Sequence, residues 1–247
     1  MLQKLTKYIN KDLVLVYQYG KVGSTTISHS VPNSINVHDL YGTVMCPPGF
    51  KYRHGLFYRK IYFPIDRLVR RTLIRRNKKI KIIVPVRDPV DRNVSMFFQD
   101  LPFYYVDYFA KHKGYAKSEG NDLLKDVFIK SFNHQSPDEW FSREFSRFTG
   151  ISVDEIEFDS NSFYCCVEKG KYSCLIIKSE SIKSLLGKKV IEDFVKKDVV
   201  WRDVNRGGMK WYKDVYAAFV SDDEFIAEYR KLVSRLVVAS RFFLINK

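Results

Sequence analysis

The chain has 247 residues, of which 45% are hydrophobic, and its formal net charge at pH 7 is +14. This length and composition suit one α/β domain or two small ones, and they exclude an intrinsically disordered chain. No apolar run approaches the ~20 residues of a transmembrane helix, and residues 1–7 lack the apolar core of a signal peptide. A cytoplasmic protein is therefore expected.

The cysteines indicate neither a disulfide framework nor a zinc site. None of the four forms a CxxC pair, and a bridge between the adjacent Cys165 and Cys166 would be strained. We expect reduced and mostly buried thiols and no metal site. The four are Cys46, Cys165, Cys166 and Cys174.

The first predicted strand, Leu13–Tyr19, ends in a loop typical of anion-binding sites. Glycines let the backbone approach a ligand, and a helix predicted from Ser24 to before Pro32 would point amides at it. Lys21 precedes Gly23 by two residues, whereas a Walker A motif has its lysine after the second glycine. The anion-binding residues predicted here are Lys21, Gly23, Ser24, Thr25 and Thr26.

Four further elements follow before the second motif. Ser34–His38 is predicted to be a strand, Tyr41–Tyr58 a loop because of its prolines and glycines, and Ile61–Arg76 a helix. Ile80–Val86 is a strongly apolar run and is predicted to be a central strand.

Residues 67–81 are rich in arginine and lysine, which allows two interpretations. The segment is either a solvated helix face or a docking surface for an acidic partner, a polyanion or an anionic membrane. The sequence does not decide between them.

The second motif begins at Arg87, directly after the central strand. Asp88 is a suitable N-cap and Pro89 a suitable first residue for a helix that ends at Pro102. The apolar residues at helical spacing predict that Asp88, Arg92, Ser95 and Gln99 lie on the opposite, polar face. Since ligands collect at strand ends of open α/β sheets, Arg87 and Ser95 suit a phosphate monoester.

The remaining chain alternates between strands and helices. Residues 103–135 are aromatic and are predicted to be irregular, as an insert or a lid. Pro137 opens a helix to about Phe148, and strands Ser162–Val167 and Tyr172–Lys178 flank a turn. This order predicts an α/β fold with a parallel sheet covered on both faces.

The two motifs together resemble those of sulfotransferases, which use 3′-phosphoadenosine 5′-phosphosulfate (PAPS). Lys-x-Gly-Ser-Thr-Thr at 21–26 is similar to their 5′-phosphosulfate loop, and Arg87 and Ser95 have the spacing of their 3′-phosphate clamp. The amino-acid pattern of residues 86–97 resembles the form of this motif in carbohydrate sulfotransferases. The whole pattern looks most like bacterial sulfotransferase-like proteins assigned to capsular polysaccharide synthesis.

A third stretch resembles the glycine-rich, basic loop that closes over the 3′-phosphate in this family. Its residues are Arg206, Gly207, Gly208 and Lys210, although Met209 intervenes and the acidic residue before Trp211 is missing. The resemblance implies a single sulfotransferase-like domain over residues 1–247. It also implies a P-loop-NTPase-like three-layer α/β/α fold with a mainly parallel central sheet.

The resemblance implies transfer of a sulfuryl group from PAPS to an acceptor hydroxyl, with a carbohydrate as the expected acceptor and no metal. Lys21 would bind the bridging oxygen, where negative charge grows. His38 is the first choice for the general base because it follows the second strand and emerges at the same sheet edge as Lys21. His29, Asp39, Asp100 and His134 remain alternatives.

Two other classes of function stay open at this stage. A P-loop-like kinase would turn over ATP with Mg²⁺, although no acidic strand end of the Walker B type is present. A non-catalytic polyanion- or nucleotide-binding protein would bind through the basic segment, and its affinity would fall steeply with salt.

Overall fold

A mostly parallel sheet forms the centre of the protein. The computed structural model describes residues 6–112, 119–159, 161–202 and 210–243. Within these ranges the strands are β1 (Val14–Tyr17), β2 (Ser34–Val37), β3 (Ile80–Val86), β4 (Tyr164–Lys169) and β5 (Tyr172–Lys178). Their order is β2-β1-β3-β5-β4, and only the β4–β5 pair is antiparallel.

Helices connect and flank these strands. They are α1 (Ser24–Ser30), α2 (Pro47–Arg53), α3 (Phe63–Arg75), α4 (Pro89–Gln99), α5 (Leu101–Lys111), α6 (Gly120–Ser131), α7 (Ser136–Trp140), α8 (Leu185–Val195), α9 (Lys213–Val220), α10 (Asp223–Val233) and α11 (Val237–Phe242). A π-helical turn, Tyr58–Tyr62, leads into α3, and another, Phe141–Ser146, extends α7 toward the short turn Arg147–Thr149. Single 3₁₀ turns occupy Thr6–Ile9, Val153–Glu155 and Ser179–Ser181.

Both faces of the sheet are covered, as the sequence predicts. Successive strand residues point to opposite faces, so Leu15 and Tyr17 belong to a large aromatic cluster with Trp140. Val14 and Val16 belong to a second apolar cluster formed with α1 and α8. The α/β class and the mainly parallel sheet are therefore confirmed.

The predicted second motif has its expected local structure. The Asp88 carboxylate accepts hydrogen bonds from the Val90 and Asp91 amides at 2.9 and 3.3 Å, and Pro89 occupies the first turn. Val90, Val94 and Phe97 are buried along one side of α4. The cap and the apolar spacing therefore predicted this helix correctly.

Two predicted irregular regions are helical instead. Tyr41–Tyr58 contains α2, in which Pro47 and Pro48 occupy the first turn and so favour the helix. Residues 103–135 contain most of α5 and all of α6, whose Tyr104, Tyr108 and Phe128 belong to the core. Their aromatic character reflects burial, and residues 113–118 lie outside the described ranges.

The candidate site lies where three strands end together. β2, β1 and β3 are adjacent and parallel, so their carboxyl ends share one edge of the sheet. The residues directly after these strands are His38, Gln18 and Arg87. Because the chain crosses from one side of β1 to the other between β2 and β3, this edge is where an open α/β sheet forms its ligand crevice.

Among the described helices, none has both the length and the apolar character of a transmembrane helix.

Candidate functional site

The loop after β1 turns sharply through left-handed backbone. Gly20, Lys21 and Gly23 have φ angles of 86°, 62° and 75°. This region is strained for residues with a side chain, so Lys21 holds an unusual conformation between two glycines. Gly23 caps α1 without a side-chain acceptor, which leaves the amides of the first turn of α1 available to a ligand.

Three positive side chains converge on this loop. The Lys21 ammonium lies 3.1 Å from Gln99 Oε1. Burial, then the charge of Lys210, then that of Arg87 lower the pKa of Lys21 to about 8, against a smaller opposing effect of Asp100. The nearby positive charges repel one another, and a bound anion would relieve this repulsion. The arrangement therefore favours anion binding.

Arg87 contacts the loop directly. Its guanidinium donates to the Lys21 carbonyl at 3.2 Å, and its backbone amide donates to the Tyr19 hydroxyl at 3.2 Å. Arg87 also forms a long ion pair with Asp91, at 3.8 Å, and its side chain is partly exposed. The strand-end arginine and the β1 loop therefore form one assembly.

A cavity of about 270 Å³ unites most of the predicted loop residues with the predicted base. Ser24 is 6% exposed, and its hydroxyl accepts a hydrogen bond from Asn36 Nδ2 at 3.4 Å. Thr26 and Ser95 do not line this cavity, and both are mostly buried. The lining residues are Gln18, Gly20, Lys21, Gly23, Ser24, Thr25, Asn36, His38, Met96 and Gln99.

Gln18 positions both the loop and His38. This buried amide accepts the Gly20 N–H, and its Nε2 lies 3.0 Å from Asn36 Oδ1. The same Nε2 lies 2.8 Å from His38 Nε2 and 3.0 Å from His38 Nδ1. The His38 ring is exposed to the cavity, yet nearby protein desolvates it enough to lower its pKa, and the charges of Arg92 and Arg67 lower the pKa further.

Arg92 is predicted on the polar face of α4, opposite the apolar residues, but the structure buries it. Its side chain is fully buried beneath the loop, where the guanidinium donates to the carbonyls of Tyr19 and Gly20 and to Ser136 Oγ. Burial lowers the pKa of Arg92 to about 10, so it remains charged at neutral pH. It forms no ion pair with a described carboxylate, so its positive charge adds to the potential at the loop.

The alternatives to His38 lie in less suitable places. His29 Nδ1 is 2.8 Å from the Thr25 carbonyl, and His134 Nδ1 is 2.8 Å from the Tyr229 hydroxyl. Neither residue lines the 270 Å³ cavity. Asp39 and Asp100 do not line this cavity either. Asp39 is paired with Arg67, and Asp100 with Arg53.

A second cavity of about 360 Å³ adjoins the first. His38, Met96 and Gln99 line both, so His38 lies at their shared wall. The second cavity combines aromatic rings with the two arginine–aspartate pairs described above. Its aromatic and imidazole residues, apart from His38, are Phe50, His54, Tyr58 and Phe63.

Thr26 faces a third, separate cavity of about 280 Å³. Consecutive helix residues point in different directions, so Thr25 and Thr26 line different cavities. This cavity is lined by Thr26, Lys183, Lys188, Trp201 and Arg202. The Trp201 indole donates to Glu192 at 2.9 Å, which holds the aromatic ring in place.

The third predicted stretch is described only in part. Arg206, Gly207 and Gly208 lie outside the described residues, whereas Lys210 is exposed close to Lys21. A further cavity, of about 940 Å³, is lined by His134 but by none of the other predicted site residues.

Gln18 is not predicted from the sequence, Gln99 is predicted on the polar face of α4 but without a role, and Arg92 is buried instead of open on that face. The sequence does mark Gln18, because its amide interrupts the otherwise apolar and aromatic residues 13–19.

The described part of the chain contains no group of three histidine, cysteine, aspartate or glutamate residues arranged to hold a metal ion. No family model, curated protein or solved structure was found to match this chain.

Proposed function

We propose that the protein is a sulfotransferase that moves a sulfuryl group from PAPS to a hydroxyl of a carbohydrate acceptor. The observation that carries this proposal is the convergence of Lys21, Arg87 and Lys210 on one loop, with His38 across the same cavity. PAPS carries a phosphosulfate and a 3′-phosphate, and these anionic groups together suit the three cations. Sulfuryl transfer needs positioning and charge stabilisation.

In this proposal the β1 loop holds the 5′ end of PAPS, which supplies the sulfuryl group. The amides of Gly23 to Thr25 and the hydroxyls of Ser24 and Thr25 bind oxygens, and Lys21 neutralises the charge that develops on the leaving phosphate. Arg87 and Ser95 bind the 3′-phosphate, and Lys210, Arg206 and the two glycines close over it. The same resemblance to sulfotransferases leads us to propose a P-loop-NTPase-like three-layer α/β/α fold.

His38 takes the proton of the acceptor hydroxyl. Its lowered pKa keeps the ring neutral at pH 7, as a base must be, and Gln18 and the Trp140 indole fix its side chain and backbone. Because His38 lines both cavities, a hydroxyl reaching from the second cavity would meet the base beside the sulfuryl donor.

The second cavity is the proposed acceptor site. Aromatic rings such as Phe50, Tyr58 and Phe63 offer apolar faces on which a sugar ring packs. The four cysteines are free, which suits a reducing compartment, and the proposal assigns the enzyme to the cytoplasm.

Ligand-dependent thermal unfolding tests the cofactor. PAPS or its desulfated product at about 100 times its Kd should raise Tm by about 5–10 °C, with ATP and GTP doing less. Lys21→Ala and Arg87→Ala should weaken nucleotide binding about tenfold or more, and the exposed Lys189→Ala is the matched control. An unchanged Tm at saturating PAPS contradicts the proposal, and a larger shift with Mg²⁺-ATP favours a kinase.

Transfer of labelled sulfate from PAPS to a panel of oligosaccharides tests the chemistry. His38→Ala should reduce transfer about 100-fold or more while nucleotide affinity stays nearly unchanged. His29→Ala, a histidine outside the cavity, should retain activity. Full transfer by His38→Ala would assign the base to another residue.

A further inference from the structure

A continuous helix that begins at Leu56, passes through the Tyr58–Tyr62 turn and continues into α3 is inverted relative to an ordinary surface helix. Its apolar side chains point to solvent, with Phe57 70% exposed, Ile65 55% and Leu68 52%. A surface helix normally buries this stripe against the core. We name the outward-facing set the apolar stripe, and its residues are Leu56, Phe57, Ile61, Tyr62, Ile65, Leu68 and Val69.

The polar side of the same helix faces the protein. Arg67 pairs with Asp39 and Asp66, and Arg71 donates to the Leu40 carbonyl at 3.1 Å. Of the residues of α3, only Phe63 and Ile74 are buried apolar side chains. These polar contacts, together with the buried Phe63 and Ile74, therefore fix the orientation of the helix, and the apolar stripe faces outward.

Positive charge surrounds the apolar stripe. Residues 51–79 contain eleven lysines and arginines and one acidic residue, a net +10 out of +14 for the chain. Exposed cations at both ends form no ion pair with a described carboxylate, in contrast to Arg53, Arg67 and Arg70. These cations are Lys51 and Lys60 near the start of the helix and Arg76, Lys78 and Lys79 after its end.

Apolar and cationic groups on one surface restrict its partner. A second copy of the chain would cover the apolar stripe but would bring +10 against +10. A nucleic acid would satisfy the cations but leave the apolar stripe in water. An anionic bilayer does both, because the stripe enters the boundary between headgroups and acyl chains while lysine and arginine contact the headgroups.

We propose that the apolar stripe and its flanking cations dock the protein onto an anionic lipid bilayer, with the helix lying in the plane of the interface. This proposal does not depend on the sulfotransferase proposal. Tyr58, Phe63 and Arg67 of the same helix line the second cavity, so docking would bring the mouth of that cavity near the membrane surface.

Vesicle co-sedimentation of the full chain tests the proposal. The protein should bind vesicles of phosphatidylcholine with phosphatidylserine at least about tenfold more tightly than vesicles of phosphatidylcholine alone. The triple variant Phe57→Ser, Ile65→Ser, Leu68→Ser should lose about tenfold or more of that binding. A charge variant, Arg76→Gln, Lys78→Gln, Lys79→Gln, should lose a similar amount.

Matched controls test whether vesicle binding depends on this surface or on exposed apolar groups and positive charge anywhere on the protein. Leu185→Ser, Leu186→Ser, Val200→Ser removes equally exposed apolar groups elsewhere, and Lys11→Gln, Lys189→Gln, Lys213→Gln removes the same charge. Both should bind vesicles as the parent does, and every variant should keep its Tm.

Three outcomes overturn the proposal. The first is unchanged vesicle binding by the Phe57, Ile65, Leu68 variant. The second is a dimer in sedimentation equilibrium that this variant abolishes, which assigns the stripe to a second copy. The third is binding to RNA that exceeds vesicle binding and ignores the apolar substitutions, which assigns the surface to nucleic acid.

Discussion

Two titrating side chains line the candidate site, and their pKa values are both lowered. Lys21 loses its proton near pH 8, and His38 becomes neutral below its usual value of 6.5. The two residues therefore have complementary charge states at neutral pH, with Lys21 mostly cationic and His38 able to accept a proton.

The proposed roles of these residues predict a bell-shaped pH dependence of kcat/KM. Activity should fall with decreasing pH below 6.5, because protonated His38 is no base, and with increasing pH above about 8, because neutral Lys21 binds the anion weakly. Steady-state kinetics from about pH 5 to about pH 10 provides the measurement.

The control for this profile is Lys21→Arg, since arginine stays charged throughout. In that variant the alkaline limb should move above pH 8 while the acid limb stays in place. A parent profile that is flat across the range, or an acid limb that survives in an active His38→Ala protein, would contradict the assignment.

At the scale of elements, the buried Arg92 of α4 supports the loop after β1. Arg92 reaches the carbonyls of Tyr19 and Gly20 from below, and Ser136 at the start of α7 also accepts from it. The guanidinium therefore joins β1, α4 and α7 at the point where the loop takes up its left-handed conformation.

Arg92→Met should lower the free energy of unfolding by about 2–4 kcal/mol, because two buried carbonyls lose their donors. Nucleotide affinity should also fall, since the loop loses both its support and a nearby positive charge. Chemical denaturation and calorimetric titration measure the two effects. The exposed Arg143→Met should change stability by less than about 0.5 kcal/mol, and equal stability of the two variants would contradict the supporting role of Arg92.

The sequence predicts some of these elements well and others poorly for identifiable reasons. β1, β3 and the capped start of α4 have local signals, namely apolar runs and Asp88-Pro89, and the structure has them where predicted. The burial of Arg92 has no local signal, because its position on the polar side of α4 depends on what the β1 loop places there. The aromatic α5 and α6 were misjudged because composition alone does not separate a packed helix from an irregular insert.

The sequence predicts the residues of the candidate site that lie in the loop and at the strand ends. It predicts less well the side chains that hold these residues in place. Lys21, Gly23, Ser24, Thr25 and His38 do share one cavity. Thr26 and Ser95 do not line it, because side-chain direction on a helix is set by the register of its first turn. The polar face of α4 already includes Gln99 in the sequence, but its place beside Gln18 and Lys21 depends on segments that only the fold brings together.

At the scale of the whole molecule, the net charge of +14 should make anion binding depend on ionic strength. Raising the salt concentration from about 0.05 M to about 0.5 M should weaken binding of the desulfated nucleotide about tenfold. Calorimetric titration at several salt concentrations measures this. A salt-independent affinity would mean that the cations at the loop contribute little, and adenosine, which lacks phosphate, is the uncharged control.

The concentration of charge in residues 51–79 has a mechanical consequence. This segment carries +10, while the other 218 residues together carry +4. The centre of charge is thus displaced from the centre of mass, and the molecule is a strong electric dipole. Near any negatively charged surface it experiences a torque as well as an attraction, and it turns α3 toward that surface before the two touch. Its retention on a cation-exchange column will therefore report the charge of this one face, and an isoelectric point of about 9.5 conveys none of that asymmetry.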